Sequence, residues 1–168
     1  MKRHIDDLKN FGFRDEVTVV APGINAKMNE VQAAFGLLAL KYVDAAVERR
    51  KSLTERYRKR LMKREGITFL KEMPEVKHNY SYFPIFINEM GYGMCRDALY
   101  EKLKNNNIFG RRYFYPLISQ FPPYRGLDSA QPGMMPVAER VTQEVICLPI
   151  YADLEEEAVE KICTIICS

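Results

Sequence analysis

The sequence predicts an α/β fold in which helices cover a small sheet and one long helix comes before it. A helical pattern free of proline runs from Asn29 to about Lys63. Beyond it, strand-like segments alternate with helical ones, as in folds that pack helices on a sheet. The chain has 168 residues, 47% of them hydrophobic and 28% charged, so it can bury a sizeable core as ordinary globular proteins do.

The N-terminal residues predict a helix end, a turn and a short strand. Residues 1–10 are mostly polar, Phe11–Phe13 places two aromatics around a glycine, and Glu16–Val20 is rich in strand-forming residues. Pro22-Gly23 then marks a further turn.

Asn29 is expected to begin the long helix as its N-cap. Gln32 stands three residues further on, as a capping box requires. Apolar residues around and after the cap recur at intervals of three or four and share one helix face. They are Met28, Val31, Phe35, Leu38 and Tyr42.

The second half of the long helix is basic. Its cations are Arg49, Arg50, Lys51, Arg56, Arg58, Lys59, Arg60, Lys63 and Arg64. A basic helix can bind nucleic acid. However, Leu53, Tyr57 and Leu61 form a core-facing stripe on the same helix, and the net charge of the chain is only +3. We therefore interpret the cations as a solvated helix face, with nucleic-acid binding as the alternative.

Four further segments are predicted to be strands: Ile67–Leu70, Tyr80–Ile87, Ile108–Phe114 and Val145–Leu148. Pro84 lies within the second of them and cannot donate a ladder hydrogen bond. This strand is therefore expected at an edge of the sheet or at a bulge.

Helices are predicted at Met94–Asn105, Met135–Glu144 and Leu154–Ile166. Asp153 is the expected N-cap of the last one, and the three glutamates that follow suit the positive end of its dipole. Gly91–Gly93 is expected to form a turn. Pro116–Pro136 is expected to be a structured loop, because its aromatics would be costly to expose together.

Several kinds of chemistry have little support in the sequence. His4 and His78 have no partners in a recognisable triad or ligand motif, and no glycine-rich nucleotide motif occurs. Cys163 and Cys167 can face each other on a helix, but a zinc site needs about four ligands. With Cys95 and Cys147, they are expected to be small apolar residues, and no metal site is predicted.

No membrane segment is predicted, because no apolar run approaches the roughly 18 residues of a spanning helix. The N-terminal residues also lack the apolar core of a signal peptide. A cytoplasmic protein is the expectation.

Asn25 and Lys27 are the leading candidates for a binding site. They stand just before the predicted helix, and helix N-termini favour anions through their free N–H groups and dipole. An amide donor and an ammonium group at this place can hold a phosphate. The alternative is that Asn25 is a turn residue and Lys27 a solvated charge.

Three segments carry a resemblance to a known family. Gly23–Ala34 resembles the G-x-N-x-[KR]-M-x-x-x-Q-A-A signature of the DegT/DnrJ/StrS family, which comprises pyridoxal-phosphate-dependent aminotransferases that act on nucleotide-linked keto-sugars. Lys9–Phe13 is similar to the family's R-N-[FH]-G segment, and Arg112–Leu117 resembles a later substrate-side strand. In the family's order, the similarity runs from about Leu8 to the C-terminus.

The resemblance implies that the chain is the C-terminal small domain of a fold-type I aminotransferase. Residues 1–28 would be a remnant of the large cofactor domain and of an inter-subunit arm, and residues 29–168 the small α/β domain. The family's Schiff-base lysine lies upstream of the R-N-[FH]-G segment, so no catalytic residue is expected in this chain. The chain is expected to be inactive alone and not to hold pyridoxal 5'-phosphate stably.

The resemblance also implies roles for individual residues. Asn25 and Lys27 would contact the cofactor phosphate in trans, across a homodimer. Tyr113, Tyr115 and Ser119 would bind the substrate. The two tyrosines alternate on a predicted strand and would form one wall of the sugar or base site, the alternative being that they are core aromatics.

The expected substrate is a nucleotide-linked 4-keto-6-deoxy sugar for cell-surface polysaccharide or lipopolysaccharide biosynthesis. Glutamate is the expected amino donor in a ping-pong transamination. Many relatives have a histidine after the Pro-Leu pair, where this chain has Ile118-Ser119, and this leaves the sugar open.

Two other functions stay open. The basic stretch would suit a non-catalytic regulatory or interaction module that binds nucleic acid. The chain would otherwise be a structural partner that completes another chain's active site through Asn25.

Overall fold

The computed structural model describes residues 1–15, 17–113 and 115–168. The chain divides into a first unit, Met1–Asp44, and a second unit, Ala45–Ser168. The predicted boundary after residue 28 stays a prediction.

Helix α1, Lys2–Lys9, opens the first unit and confirms the predicted N-terminal helix. Isolated bridges between Asn10 and Asn25 and between Phe13 and Val19 follow it. In the predicted strand Glu16–Val20, Glu16 lies outside the described residues, and residues 17–20 form only the bridge at Val19.

Asn29 is the N-cap of helix α2, Glu30–Leu40, as predicted. Its side-chain oxygen accepts a hydrogen bond from the Gln32 N–H at 2.8 Å. This bond satisfies one of the free donors at the helix N-terminus.

The structure corrects the predicted single long helix, because helix α3, Val43–Leu61, is separate from α2. At the junction, the N–H groups of Lys41 and Tyr42 bond to carbonyls only three residues back, at 3.1 and 3.0 Å. This tighter turn interrupts the α-helical ladder. Neither glycine nor proline marks the junction, so no local pattern predicts this break in the helix.

The sheet of the second unit has three antiparallel strands in the order β1-β2-β3. They are β1 (Ile67–Phe69), β2 (Phe83–Ile87) and β3 (Val145–Leu148). The predicted small sheet with helices is thus confirmed.

The predicted strand Ile108–Phe114 is wrong for the residues that the structure describes, and Phe114 lies outside them. Only Arg111 pairs with β3, through two backbone hydrogen bonds with Cys147 of 2.9 and 2.8 Å. The N–H of Tyr115 then bonds to the Arg112 carbonyl, so the chain turns away from the sheet.

The prediction that Pro84 marks an edge strand or a bulge is also wrong, because β2 is the central strand. Pro84 is opposite Cys147, whose N–H and carbonyl both bond to Arg111 on the other side of β3. The Pro84 nitrogen therefore faces β1, which ends at Phe69, opposite Ile85. The strand needs no N–H at this position, and proline is tolerated.

The remaining predicted helices are present with small shifts of their ends. They are α5 (Arg96–Asn105), α6 (Pro136–Glu144) and α7 (Glu156–Cys167). Helix α4, Glu89–Tyr92, occupies the predicted glycine turn and ends at Gly93 in the left-handed conformation. Two short 3-10 helices, Ile118–Gln120 and Asp128–Ala130, lie in the proline-rich loop.

The prediction that Asp153 caps α7 is wrong. The Leu154 N–H bonds to the Tyr151 carbonyl and closes a turn that contains Asp153. The first helical bond runs from the Val159 N–H to Glu155, which is the N-cap and makes no side-chain capping bond.

The core of the second unit joins the sheet to α3, α5 and α7. The stripe of Leu53, Tyr57 and Leu61 is fully buried, as predicted. The Tyr57 ring stacks on Phe83 with 5.0 Å between centroids, and its hydroxyl donates to the Pro149 carbonyl at 3.0 Å.

The basic residues of the predicted long helix are exposed or half-buried, as the interpretation as a solvated face requires, and three arginines of α3 also pair with glutamates. Arg49 bonds to Glu156 at 2.8 Å, Arg60 bonds to Glu160 at 2.8 Å, and Arg56 pairs with both glutamates. Glu156 and Glu160 lie in the N-terminal part of α7, next to α3. The positive charges of the three arginines are therefore balanced within the second unit.

The cysteines are all free thiols, with Cys147 and Cys163 buried and Cys167 exposed. Within the described ranges there is no group of three or more His, Cys, Asp or Glu side chains placed to hold a metal ion. Among the described residues, none of the helices combines the length and the hydropathy that a membrane span requires.

Replacing Ile85 by alanine is expected to destabilise the second unit. Ile85 is fully buried in the central strand, so Ile85→Ala leaves a cavity that lowers the free energy of unfolding by about 2–5 kcal/mol. Urea denaturation measures this change. Val137→Ala, on an exposed position of α6, is the control and should change little. An equal effect of the two substitutions would contradict the described core.

Stability is expected to fall in acid partly because of Glu156. The hydrogen bond from Arg49 and the charge of Arg56 hold the pKa of Glu156 below its usual value of 4.5. A lowered folded-state pKa contributes stability above the unfolded-state pKa, and this is lost as the pH falls through the folded-state value.

Glu156→Gln should therefore make the loss of stability between about pH 6 and about pH 3 shallower, as measured by urea denaturation at each pH. Glu157→Gln, at an exposed neighbour on the same helix, is the matched control. If both variants follow the unaltered chain, the ion pairs between α3 and α7 do not contribute to stability in solution.

Candidate functional site

The loop that carries Asn25 and Lys27 is held against the end of α1 by backbone hydrogen bonds. The N–H groups of Ile24 and Ala26 bond to the carbonyls of Leu8 and Lys9 at 2.9 and 3.0 Å. The Ile24 carbonyl in turn accepts from the N–H of Phe11. These bonds fix the course of the backbone on both sides of Asn25.

Two glycines allow this close approach. A Cβ atom on Gly23 would lie 2.3 Å from the Gly12 nitrogen, and one on Gly12 would lie 1.7 Å from the Ala21 oxygen. Gly12 also has a φ of +85°, a conformation that side chains disfavour. Gly12 and Gly23, one from each of the two N-terminal motifs, thus allow two backbone segments to pack directly against each other.

Asn25 and Lys27 are exposed in the first unit. The Lys27 ammonium lies 5.7 Å from the centre of the Phe11 ring. No described side chain or backbone group bonds to the side-chain amide of Asn25. An exposed amide and an ammonium on a fixed loop fit the phosphate of a cofactor, because both are donors to anionic oxygens. Their assigned role stays a prediction.

A separate groove of about 520 Å³ lies in the second unit. Its lining includes the two arginines, Arg111 and Arg112, and most of the ring-bearing side chains of residues 111–121. Its lining residues are Tyr100, Arg111, Arg112, Tyr113, Tyr115, Pro116, Ile118 and Phe121. Its volume lies within the range typical of small-molecule sites.

Arginines and tyrosines alternate along one wall of the groove. The Arg112 guanidinium lies 4.4 Å from the ring centre of Tyr100 and 4.9 Å from that of Tyr115. Arg96 approaches Tyr115 at 5.1 Å. Tyr115 thus contacts two guanidinium groups, which strengthens its placement through cation–π attraction.

Asp97 links the groove to the interior. Its Oδ1 accepts from the Arg96 Nε at 2.8 Å and from the Arg112 Nη1 at 3.0 Å. Arg96 is only 1% exposed and donates to the Val145 carbonyl at 2.8 Å. Asp97 therefore connects Arg112 to the buried Arg96, and Arg96 is in turn bonded to β3. These contacts hold the Arg112 side chain in place.

Tyr113 lies on another part of the groove lining. Its hydroxyl accepts from the Arg111 Nη1 at 2.9 Å, and its ring lies edge-on to Tyr82 at 5.0 Å. A hydrogen bond with Tyr113 raises the pKa of Tyr82 above its usual 10.0.

The prediction that Tyr113 and Tyr115 project from one strand is wrong, because they do not lie on a strand. The groove nevertheless brings both together, which their predicted role requires. Ser119 is half-buried in the 3-10 helix and does not line the groove, although its neighbour Ile118 does.

Sequence reasoning missed Arg96, Asp97 and Tyr100 on α5. Tyr100 follows Arg96 by four positions and Asp97 by three, so the three share one side of the helix. This spacing is the available signal. The part of the chain that α5 would meet could not be inferred from it.

Curated relatives resemble nearly the whole chain. A dTDP-4-amino-4,6-dideoxy-D-glucose transaminase from Escherichia coli is 53% identical over 161 residues, which are 96% of this chain and 43% of that protein. A protein of the same name from Shigella dysenteriae is 41% identical, with the same two coverages of 96% and 43%. The chain therefore spans less than half the length of these relatives.

A solved structure shares the fold. DesI, determined in the presence of its TDP-sugar product, matches with a TM-score of 0.80 and 29% identity, over 96% of this chain and 41% of DesI. The matched part is the C-terminal portion of the aminotransferase, as the sequence predicted.

The family model described as the DegT/DnrJ/EryC1/StrS aminotransferase family matches residues 1–167. This match covers the three motifs from which the resemblance was inferred. The chain therefore belongs to the DegT/DnrJ/EryC1/StrS aminotransferase family.

Proposed function

We propose that this chain forms part of a pyridoxal-phosphate-dependent aminotransferase that aminates a dTDP-linked 4-keto-6-deoxy sugar. The observation that carries the proposal is the groove in which Arg111 and Arg112 lie beside tyrosine rings. The names of the E. coli and S. dysenteriae relatives support the choice of nucleotide and sugar.

The groove residues suit the two ends of a nucleotide sugar. The guanidinium groups of Arg111 and Arg112 can donate paired hydrogen bonds to a diphosphate. The rings of Tyr100, Tyr113 and Tyr115 can pack against the base or the sugar. Asp97 keeps Arg112 oriented, so little side-chain freedom is lost when the substrate binds.

Asn25 and Lys27 would hold the cofactor phosphate, in the active site of the second subunit of a homodimer. When bound, this cofactor would supply the electron sink that the transfer of an amino group from the donor to the sugar ketone requires. Glutamate is the proposed donor. The lysine that binds the cofactor covalently is expected outside this chain, so the chain alone is expected to be inactive.

The proposed pathway is the synthesis of cell-surface polysaccharide or lipopolysaccharide, and the proposed compartment is the cytoplasm. Nucleic-acid binding through α3 has less support. Three of its arginines pair with Glu156 and Glu160, and these carboxylates offset part of the positive charge that would attract phosphates.

A chimera with the E. coli relative tests the proposed function. This chain replaces the segment of the relative that it matches, so that it is measured next to the rest of an aminotransferase. Transfer of the amino group from glutamate to dTDP-linked 4-keto-6-deoxyglucose is followed by mass spectrometry. We expect amino sugar to form. A folded chimera that binds the cofactor but aminates no dTDP-linked keto-sugar would contradict the proposal.

Asn25→Ala in this chimera is expected to weaken cofactor binding by about tenfold or more, because a hydrogen bond to an anion is lost. Titration with pyridoxal 5'-phosphate, monitored by absorbance, measures the change. Asn105→Ala, at an exposed end of α5, is the control. Unchanged affinity in Asn25→Ala would exclude the phosphate role.

Arg112→Ala is expected to weaken binding of dTDP to the 168-residue chain by about tenfold or more, because a charged donor to the diphosphate is removed. An NMR-monitored titration measures the dissociation constant. Arg125→Ala removes an exposed arginine outside the groove lining and should change it little. Equal effects of the two variants would indicate only general charge attraction.

A further inference from the structure

A second cavity, of about 300 Å³, lies beside the groove in the second unit. Arg111 and Tyr113 line both spaces, so the two adjoin at these side chains. The cavity is also lined by Ser81 and Tyr82, which precede β2, and by residues 148–151, at the end of β3 and beyond it. We call it the sheet-end cavity. Its volume lies at the lower end of the range for small-molecule sites, as a single sugar ring requires.

The two segments that form the walls of the sheet-end cavity leave the sheet at the same end. Strand β2 begins at Phe83, and Leu148 ends β3 directly opposite it. Ser81 and Tyr82 therefore lie beside residues 149–151, which follow β3. Sites built at the ends of sheet strands are positioned more precisely than sites on free loops.

Hydrogen bonds from α3 hold both segments in place. Arg50 donates from Nε and Nη2 to the Asn79 carbonyl at 3.1 and 2.8 Å, and the Asn79 Oδ1 accepts from the Ser81 N–H at 3.1 Å. On the other segment, the Pro149 carbonyl accepts from the Tyr57 hydroxyl at 3.0 Å. Both walls are thus ordered before a ligand binds, so little freedom is lost on binding.

Arg111 stands at the boundary between the sheet-end cavity and the groove. Its backbone is held by the two hydrogen bonds with Cys147, and its Nη1 donates to the Tyr113 hydroxyl at 2.9 Å. In the proposed function, the guanidinium groups of Arg111 and Arg112 bind the diphosphate, which joins the nucleoside to the sugar. A diphosphate at this boundary leaves one end of the substrate in the groove and the other in the sheet-end cavity.

The lining of the sheet-end cavity suits the sugar. Ser81, Tyr82 and Tyr151 carry hydroxyl groups, which can donate to and accept from sugar oxygens. Tyr82 is 57% exposed and Tyr151 is 53% exposed, so both have surface that the C–H groups of a pyranose can cover. The Tyr82 hydroxyl bonds to that of Tyr113, which places it at the boundary with the groove.

The remainder of the groove suits the thymine. Tyr100, Tyr115 and Phe121 add three aromatic rings, and Ile118 adds an apolar side chain that is 63% exposed. A planar base packs against such rings. The two ends of the substrate thus meet linings of different character.

We propose that the sheet-end cavity binds the hexose of the nucleotide sugar, with Tyr82 and Tyr151 in contact with the sugar ring. The inference rests on the proposed function, which places the diphosphate at Arg111 and Arg112. It adds the direction in which the substrate lies, because the thymine then occupies the groove beside Tyr100 or Tyr115.

NMR titrations of the 168-residue chain with dTDP-glucose and with the β-methyl ester of dTDP test the proposal. The two ligands carry the same charge, and only the first has a hexose. Both should shift the amides of Arg111 and Arg112. Only dTDP-glucose should also shift those of Ser81, Tyr82 and Tyr151, and it should bind about tenfold more tightly because the sugar adds contacts with two tyrosine rings.

Two other outcomes separate this inference from the proposed function. If the additional shifts of dTDP-glucose fall on residues 118–121, or if no additional shifts arise, this inference is overturned and the proposed function is not. Absence of saturable shifts with either ligand up to about 10 mM would overturn both.

Tyr151→Ala is expected to weaken dTDP-glucose binding by about tenfold and to leave the affinity for the methyl ester unchanged, because it removes a ring that only the sugar contacts. Tyr124→Ala, at an exposed tyrosine that lines neither the groove nor the sheet-end cavity, is the matched control and should change neither affinity. Unchanged affinity for dTDP-glucose in Tyr151→Ala, or an equal loss for the two ligands, would each contradict the proposal.

Discussion

The burial of one face of α3 is the constraint on which the second unit depends. Leu53, Tyr57 and Leu61 are fully buried, and Tyr57 stacks directly on Phe83 of the central strand. With this face fixed, the helix has no rotational freedom. Its arginines must meet α7, and Arg50 must meet the segment that leads into β2. One apolar stripe therefore determines where the polar residues of the helix act.

The first unit contrasts with this, because the apolar residues of α2 are exposed. Val31 is 80% exposed and Phe35 is 72% exposed, and no residue of α2 is buried. Apolar surfaces of this kind mark contacts with other polypeptide segments. The chain spans only 43% of the length of the E. coli relative that it matches.

Local signals predicted well, and signals that depend on pairing did not. The Asn29 cap and the strand Val145–Leu148 follow from neighbouring residues alone, and both are present as predicted. The prediction for Pro84 was wrong because a central strand accepts proline only where no N–H is needed. At Pro84 this depends on where β1 ends and on the bonds of Cys147 to Arg111. No local pattern contains that information.

The candidate site shows the same limit. The motif around Asn25 identified the family from sequence, and the glycines explain how its loop is built. The groove required the fold, because α5 supplies Tyr100 and Asp97 while a loop after it supplies Arg112.

The location of bound dTDP in crystals of this chain tests the central claim most directly. The account predicts difference density in the groove, with the diphosphate within hydrogen-bond distance of Arg111 or Arg112 and the thymine against a tyrosine ring. Density for the nucleotide along the arginines of α3, with an empty groove, would contradict it.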